Sequence, residues 1–383
     1  MKKIISFACM ALMASFLMAG VPYVAKAETA SGSYKAFYSA DWYSGSVINA
    51  ENETTRLPIA SMCKIMTLLL CFEEIDSGNM TLNEKIPVSE NASGMGGSQV
   101  FLESGAEYVA DKLIESICIA SANDSCVAMA ERICGSEEKF VERMNEKAEE
   151  LGAENTNFVN CTGLPKPGQY SCAKDVFIML SELLHHNEYF KYSKIWMDKM
   201  VHPGGRETEM SNTNKLIRFY NGCDAGKTGY TSEAGHCLAA SATRGNMRIV
   251  SVVIGAKDSK SRFEAVKKSF DNAFANYSNK IVVDNNSVFD KKCPVSGGKA
   301  DSVSYRAARS SYIFSEKNSE CEITFDTELY KVKAPVRQGE KIGEIVVYKD
   351  NVQVDCVDLV ANEAVAKMNY FDSLRQLAKN WNF

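Results

Sequence analysis

Histidine is scarce: the chain has four in 383 residues, at 185, 186, 202 and 236, scattered apart from one adjacent pair. No Cys/His cluster has zinc-ligand spacing, so nothing in the sequence asks for a metal or any other cofactor. A basic excess is lacking too. The 43 Lys and Arg stand against 48 Asp and Glu, a net charge of −5, which makes nucleic acid an unexpected partner because phosphate binding wants a basic stripe. Past the first two dozen residues no segment is apolar for long enough to span a bilayer. Neither an internal repeat nor a low-complexity linker is present. What remains is a globular balance, 45% hydrophobic and 24% charged, in a chain long enough for one large core and a smaller module.

Met1-Lys2-Lys3, an apolar stretch from Ile4 to Ala19, a Gly20/Pro22 break and Ala25-Lys26-Ala27 form a basic n-region, an h-region and a small-x-small cleavage site. Residues 1–27 therefore read as a secretory signal, and the protein as exported. Its removal takes away Lys2, Lys3 and Lys26 and no acid, leaving 40 bases against 48 acids, a net −8. Thirteen cysteines are present; apart from Cys9 in the leader they are irregularly spaced. A chain of this size does not need disulfides. Buried free thiols acting as small hydrophobes are the favoured reading over a disulfide framework.

Pro58-Ile59-Ala60-Ser61 leads into Ile65–Phe72, apolar on every side, which marks a helix buried within a domain. Asp111–Ala120 and Ser125–Cys134 read as helical pieces interrupted at Ser121-Ala122-Asn123. Lys227–Thr231, Gly235–Thr243 and Met247–Gly255 read as short strands, with Arg244-Gly245-Asn246 a hairpin turn. Arg262–Tyr277 returns to helical periodicity through Phe263, Val266, Phe270, Phe274 and Tyr277. Such a helical cluster beside an antiparallel sheet is α+β (α/β) in class. The expected organisation is a catalytic domain over 28–279, a small all-β domain over 280–360, rich in Thr, Val and Ile, and an amphipathic C-terminal helix over 361–383.

Ser61-Met62-Cys63-Lys64 is an S-x-x-K, which on a helix sets both functional side chains on one face, one turn apart. The serine can then pass its proton to the lysine. An amine serves as base near neutral pH only if desolvation or a neighbouring cation lowers its pKa, and a helix buried all round supplies the dry setting. Alone, S-x-x-K is a weak signal. Ser121-Ala122-Asn123 adds a hydroxyl and an amide at a helix break, and Lys227-Thr228-Gly229 opens a strand. S-x-x-K, S-D-N and K-T-G form the set used by class A β-lactamases and penicillin-binding proteins; here all three occur in that chain order.

On these residues the chain resembles the low-molecular-mass penicillin-binding proteins that act as D-alanyl-D-alanine carboxypeptidases, the S11 peptidases. Arg56–Thr67 is similar to the family's nucleophile segment and Asp224–Gly235 to its sheet-edge segment. Asn160–Leu164 and Ser171–Asp175 match connecting segments, and Val336–Gly343 looks like its C-terminal β-domain. Two positions depart from the pattern: Gly226 stands where a bulky aliphatic is usual, and Ala122 where Asp or Gly is usual. Neither removes a reacting group.

The resemblance implies a serine β-lactamase/transpeptidase-like fold and an acyl-enzyme mechanism on peptidoglycan stem peptides ending in D-Ala-D-Ala, with β-lactam antibiotics as inhibitors. Ser61 is the expected nucleophile and Lys64 its base. Ser121 is placed to relay a proton to the departing amine, and Asn123 to hold the substrate amide. Backbone N–H groups of Ser61 and Tyr230 would form the oxyanion hole, each typically worth ~3 kcal/mol of barrier. Lys227 adds positive charge, Thr228 and Gly229 continue the carboxylate-binding strand, and Arg262 is the candidate second carboxylate partner. Asn160 and Asp175 are candidate supports behind the reacting groups, although a loop asparagine and a helix-starting acid are the favoured readings, and Cys63 reads as a thiol packed in the helix core.

In the tail, Phe371, Leu374, Ala378 and Trp381 share one helical face, opposite Asp372, Arg375, Gln376 and Lys379. That pattern suits a helix lying on a membrane surface at the outer, cell-wall side. Two rivals stand beside the carboxypeptidase. A serine β-lactamase would need a water-activating glutamate, and no Glu-x-x-Leu-Asn lies between Asn123 and Lys227. A non-catalytic wall-binding or β-lactam-sensing protein would have no need to keep every reacting group.

Overall fold

The computed structural model describes residues 33–372 and 374; the expected signal peptide, and residues 373 and 375–383 of the expected tail helix, lie outside the described residues. The chain divides into two compact units, one containing residues up to Arg244 together with Arg248–Ala273, the other Gly245–Met247 and everything from Phe274. The main division thus falls a few residues before the expected 279/280 boundary.

The first unit is built on a five-stranded sheet in the order Val47–Glu51, Ala36–Asp41, Met247–Ala256, Gly235–Arg244, Cys223–Thr231. Ala36–Asp41 pairs antiparallel with both of its neighbours, and Gly235–Arg244 runs antiparallel to Cys223–Thr231. Cys223–Thr231 is left at the edge, where one row of backbone groups is free to meet a peptide. The central strand Met247–Ala256 is apolar on both faces and nearly all buried, as a strand covered on both sides must be. The hairpin turn falls at Gly245-Asn246, with Gly245 at φ +57°, as a two-residue turn requires.

Helix Lys64–Asp76 is the centre of the helical layer, and every residue from Lys64 to Phe72 is buried. It packs against helices Ala110–Ile119, Asn123–Cys134 and Ala173–Leu183. That explains why its sequence shows no polar face: it has no solvent side to give one.

Three local expectations are corrected. The edge strand begins at Cys223, not Lys227; Gly226 sits inside it, just past a register shift between Cys223 and Ala225. The helix expected over Arg262–Tyr277 spans Ser259–Asn276, and Tyr277 opens the next strand, its ring stacked on Phe314. The tail does not turn helical at Ala361. Ala361 ends the strand Val352–Ala361, and the chain continues extended, with Val365 bridging Val336 and Lys367 bridging Gly298. Buried Ala361 and Val365 join the β-core, so those apolar positions serve a sheet and not a helix. Helical structure starts at Tyr370.

The second unit is all-β. Its main sheet runs Tyr305–Ala307, Val352–Ala361, Lys341–Lys349, Ile323–Leu329. Alternate residues Ile345 and Val347 of one strand and Val357 and Leu359 of its partner turn into a common core, as the two-residue strand period dictates. Among the described residues no helix is long and apolar enough to cross a membrane. The twelve cysteines of the described residues are all unpaired, and most are buried.

Candidate active site

Ser61 lies in a short 3-10 turn, Ala60–Cys63, that runs directly into helix Lys64–Asp76. Lys64, one turn on, brings its Nζ to 3.1 Å from Ser61 Oγ. The same nitrogen donates to the Thr162 carbonyl at 2.5 Å. Lys64 is wholly buried, and burial lowers its pKa from the ordinary 10.5. Neighbouring thiols could oppose this only as thiolates. Burial prevents that: it pushes Cys63 up and holds Cys126 at about 12, so near neutral pH the lysine has no anion of theirs to lean on.

The second patch sits where helix Ala110–Ile119 stops and Asn123–Cys134 starts. Ser121 between them takes φ +63°, a left-handed conformation a non-glycine residue adopts at a cost and one that recurs at functional sites. Ala122 is fully buried, so a small apolar side chain fits there without touching the cleft chemistry. Asn123 Nδ2 donates to the Gly96 carbonyl at 2.6 Å, while its Oδ1 is buried with no hydrogen-bond partner among the described residues. An unmade bond of that kind ordinarily costs stability.

The third patch is the edge strand. Lys227 Nζ donates to Ser121 Oγ at 2.8 Å and to the Thr228 carbonyl at 3.2 Å, joining the second patch to the third. Burial, followed by the charges of Lys64 and Arg262, lowers Lys227 to about 7. Thr228 Oγ1 donates to Thr213 Oγ1 at 2.8 Å. Gly229 presses on the first patch: a Cβ there would stand 2.6 Å from the Ile59 carbonyl oxygen and 3.2 Å from the Ser61 nitrogen. Only glycine lets the strand come this close to the nucleophile turn. At Gly226, φ is +146° and a Cβ would lie 2.4 Å from the Ala239 oxygen, so a bulky aliphatic is incompatible with this backbone. Tyr230 is largely exposed, its ring stacked on His236 at 4.3 Å.

Arg262 is buried. Its Nη1 donates to the Gly229 and Cys237 carbonyls at 3.1 and 3.2 Å, tying the guanidinium to the strand that carries Thr228. All three sequence patches therefore meet, with Arg262 attached behind them. The sequence reading missed Thr162 and Thr213. Thr213 is an ordinary threonine between two asparagines, and only the fold gives it a role.

Chemically, a hydroxyl beside a dry amine, with a second lysine-bound hydroxyl across the cleft, is equipped for acyl transfer through a serine ester. That is the class the geometry defines. A model of the D-alanyl-D-alanine carboxypeptidase family, peptidase S11, matches residues 23–258, and one of the penicillin-binding protein 5 C-terminal domain matches 277–367. The chain is 39% identical to D-alanyl-D-alanine carboxypeptidase DacF of Bacillus subtilis over 339 residues, covering 88% of this chain and 87% of that one. It is 30% identical to DacC of Escherichia coli, covering 93% and 90%. The crystal structure of penicillin-binding protein 5 from Haemophilus influenzae superposes with a TM-score of 0.72 at 28% identity, over 90% of this chain and all of that one. The protein belongs to the peptidase S11 family of D-alanyl-D-alanine carboxypeptidases.

Proposed function

We propose that this protein removes the terminal D-alanine from peptidoglycan stem peptides through an ester on Ser61, and that β-lactams are trapped on the same oxygen. Ser61 Oγ attacks the carbonyl carbon of the penultimate D-alanine while its proton passes to Lys64 Nζ. The C–N bond then breaks, and the leaving amine takes a proton by way of Ser121, whose hydroxyl Lys227 holds. Water hydrolyses the ester and restores Ser61. The developing oxyanion would lie between the backbone N–H groups of Ser61 and Tyr230, which the close approach of Gly229 to the Ser61 nitrogen supports. Asn123 Oδ1 is an acceptor for the substrate's amide N–H, and Thr228 with Lys227 is a seat for its carboxylate, whose negative charge favours the Lys227 ammonium when it binds. Arg262 supports that seat through the strand carbonyls. The observation that carries this reading is a buried amine with a lowered pKa at hydrogen-bond distance from Ser61 Oγ.

Incubating the mature protein with a stem pentapeptide should yield tetrapeptide and free D-alanine by mass spectrometry. Ser61→Ala should release none. If that variant trims at the normal rate, the serine mechanism is wrong. A β-lactamase would regain activity within minutes of stoichiometric penicillin labelling, whereas this enzyme should stay acylated.

The setting we propose is the outer face of the cell membrane, reached by the signal in residues 1–27 and held by the tail. Exposed Tyr370, Phe371 and Leu374 at the start of the tail helix support a membrane-facing surface, with Ala378 and Trp381 outside the described residues. Because residues up to Lys367 belong to the β-unit, the informative truncation comes after Asn369. It should release the protein from membranes with its activity intact; continued pelleting would sink the anchor.

A further inference from the structure

The loop from Val159 to Gln169 is irregular, yet it makes an ordered set of contacts with the nucleophile helix. Three consecutive backbone carbonyls each accept one hydrogen bond from it. Asn160 O takes Cys63 Sγ at 3.3 Å, Cys161 O takes Thr67 Oγ1 at 2.7 Å, and Thr162 O takes Lys64 Nζ at 2.5 Å. A row of this kind fixes how the helix face that carries Lys64 meets the loop.

The loop owes its shape to one side chain. Asn160 Oδ1 accepts from Thr162 N at 3.2 Å, Thr162 Oγ1 at 3.2 Å, Gly163 N at 2.7 Å and Gln169 Nε2 at 3.2 Å. An amide oxygen has two lone pairs, so these donors share it. Asn160 Nδ2 donates onward to the Leu164 carbonyl at 2.9 Å. Gln169 Oε1 closes the other end by accepting from Val159 N and Asn160 N, both at 3.0 Å. Asn160 is therefore more than the ordinary loop asparagine its sequence context suggests.

A neutral amine has one lone pair and two N–H bonds. Committing one N–H to Thr162 O limits where the lone pair can point, and the Ser61 hydroxyl, its oxygen 3.1 Å away, can donate its proton to that lone pair. We infer that Asn160, backed by Gln169, is a positioning residue for acylation: it curls the loop so that the Thr162 carbonyl aims the Lys64 lone pair at the Ser61 proton. The inference rests on the reading of Lys64 as the base.

The test separates binding from acylation with a fluorescent penicillin, using stopped-flow on the mature protein and its variants. Asn160→Ala should lower the acylation rate constant about tenfold to a hundredfold, the scale of a misplaced reacting group, with pre-acylation affinity unchanged within about twofold. Gln169→Ala should show a smaller loss of the same kind. Asn160→Asp keeps the acceptor oxygens and should recover most of the rate at high pH. Its added carboxylate should also move the acidic limb of the pH profile upward by favouring the Lys64 ammonium. A merely structural role would lower affinity and rate together. The proposal fails if Asn160→Ala acylates within about twofold of the unsubstituted protein, or if Asn160→Asp is no better than Asn160→Ala. Should Asn160→Ala not fold, the Gln169→Ala rate, read against its affinity, decides the matter: a rate within about twofold of the unsubstituted protein overturns the proposal. Lys64→Ala is the control for the underlying reading: if it acylates normally, the base assignment has failed and not the loop.

Discussion

Two lysines of the first unit are used in the opposite way to Lys341 of the second, although the first unit also carries ion-paired surface lysines such as Lys112 and Lys147. In the first, Lys64 and Lys227 are wholly buried, bonded only to hydroxyls and carbonyls among the described residues, and pushed toward their neutral forms. In the second, Lys341 lies on a half-open strand, 2.6 Å from Asp358 and 3.4 Å from Glu344, and these carboxylates raise its pKa. The β-unit lysine is an ordinary surface charge that water and carboxylates satisfy together. Burying an amine without a carboxylate costs stability, and such groups concentrate where chemistry uses them. The contrast locates the active site independently of any motif.

The largest effect expected from that contrast is on activity at Lys64. Lys64→Met should reduce acylation about a thousandfold, as loss of a general base does, while the thermal midpoint holds or rises because a buried amine has been replaced by an apolar chain of similar length. A sharp fall in the midpoint would mean that Lys64 is structural.

The next effect is on the pH dependence of stability. Lys227 has a folded pKa of about 7 against an ordinary 10.5. Between those values the unfolded chain binds more protons than the folded one, so this group makes stability rise with pH, by at most about 1.4 kcal/mol per unit. Its burden is full below about 7 and gone above 10.5. Lys227→Met should therefore be favoured most, relative to the unsubstituted protein, at pH 7 and progressively less toward pH 10. Urea unfolding at both ends of that window measures it, and a difference independent of pH would show that Lys227 keeps an ordinary pKa.

The smallest effect belongs to Lys341. Lys341→Met should leave acylation unchanged and cost less than about 1 kcal/mol, the usual worth of an exposed ion pair. A measurable loss of acylation would break the contrast between the buried and the ion-paired lysines.

Much of this was legible in the sequence because it is local. Ser61 and Lys64 lie one helical turn apart, the Gly245-Asn246 turn sits between two apolar runs, and the motif at Ser121 falls where a helix pattern stops. What escaped depends on distant partners. Asn160 has the composition of any loop asparagine, and its four donors become visible only once the loop closes on Gln169. Val365 reads equally well as the face of a helix or as one end of a bridge to Val336, and tertiary pairing decides for the bridge. The strand expected from Lys227 starts four residues earlier, and the glycine at 226 is explained only by φ +146° and the nearness of the Ala239 oxygen.

The pH profile of the acylation rate constant tests the central claim most directly, because it reports the protonation state of the base while the bond forms. The rate should climb and level off below 10.5, as it must if burial holds the pKa of Lys64 below its ordinary value. A rate that keeps climbing to about 10.5, with the titration of an ordinary solvated lysine, would contradict the account.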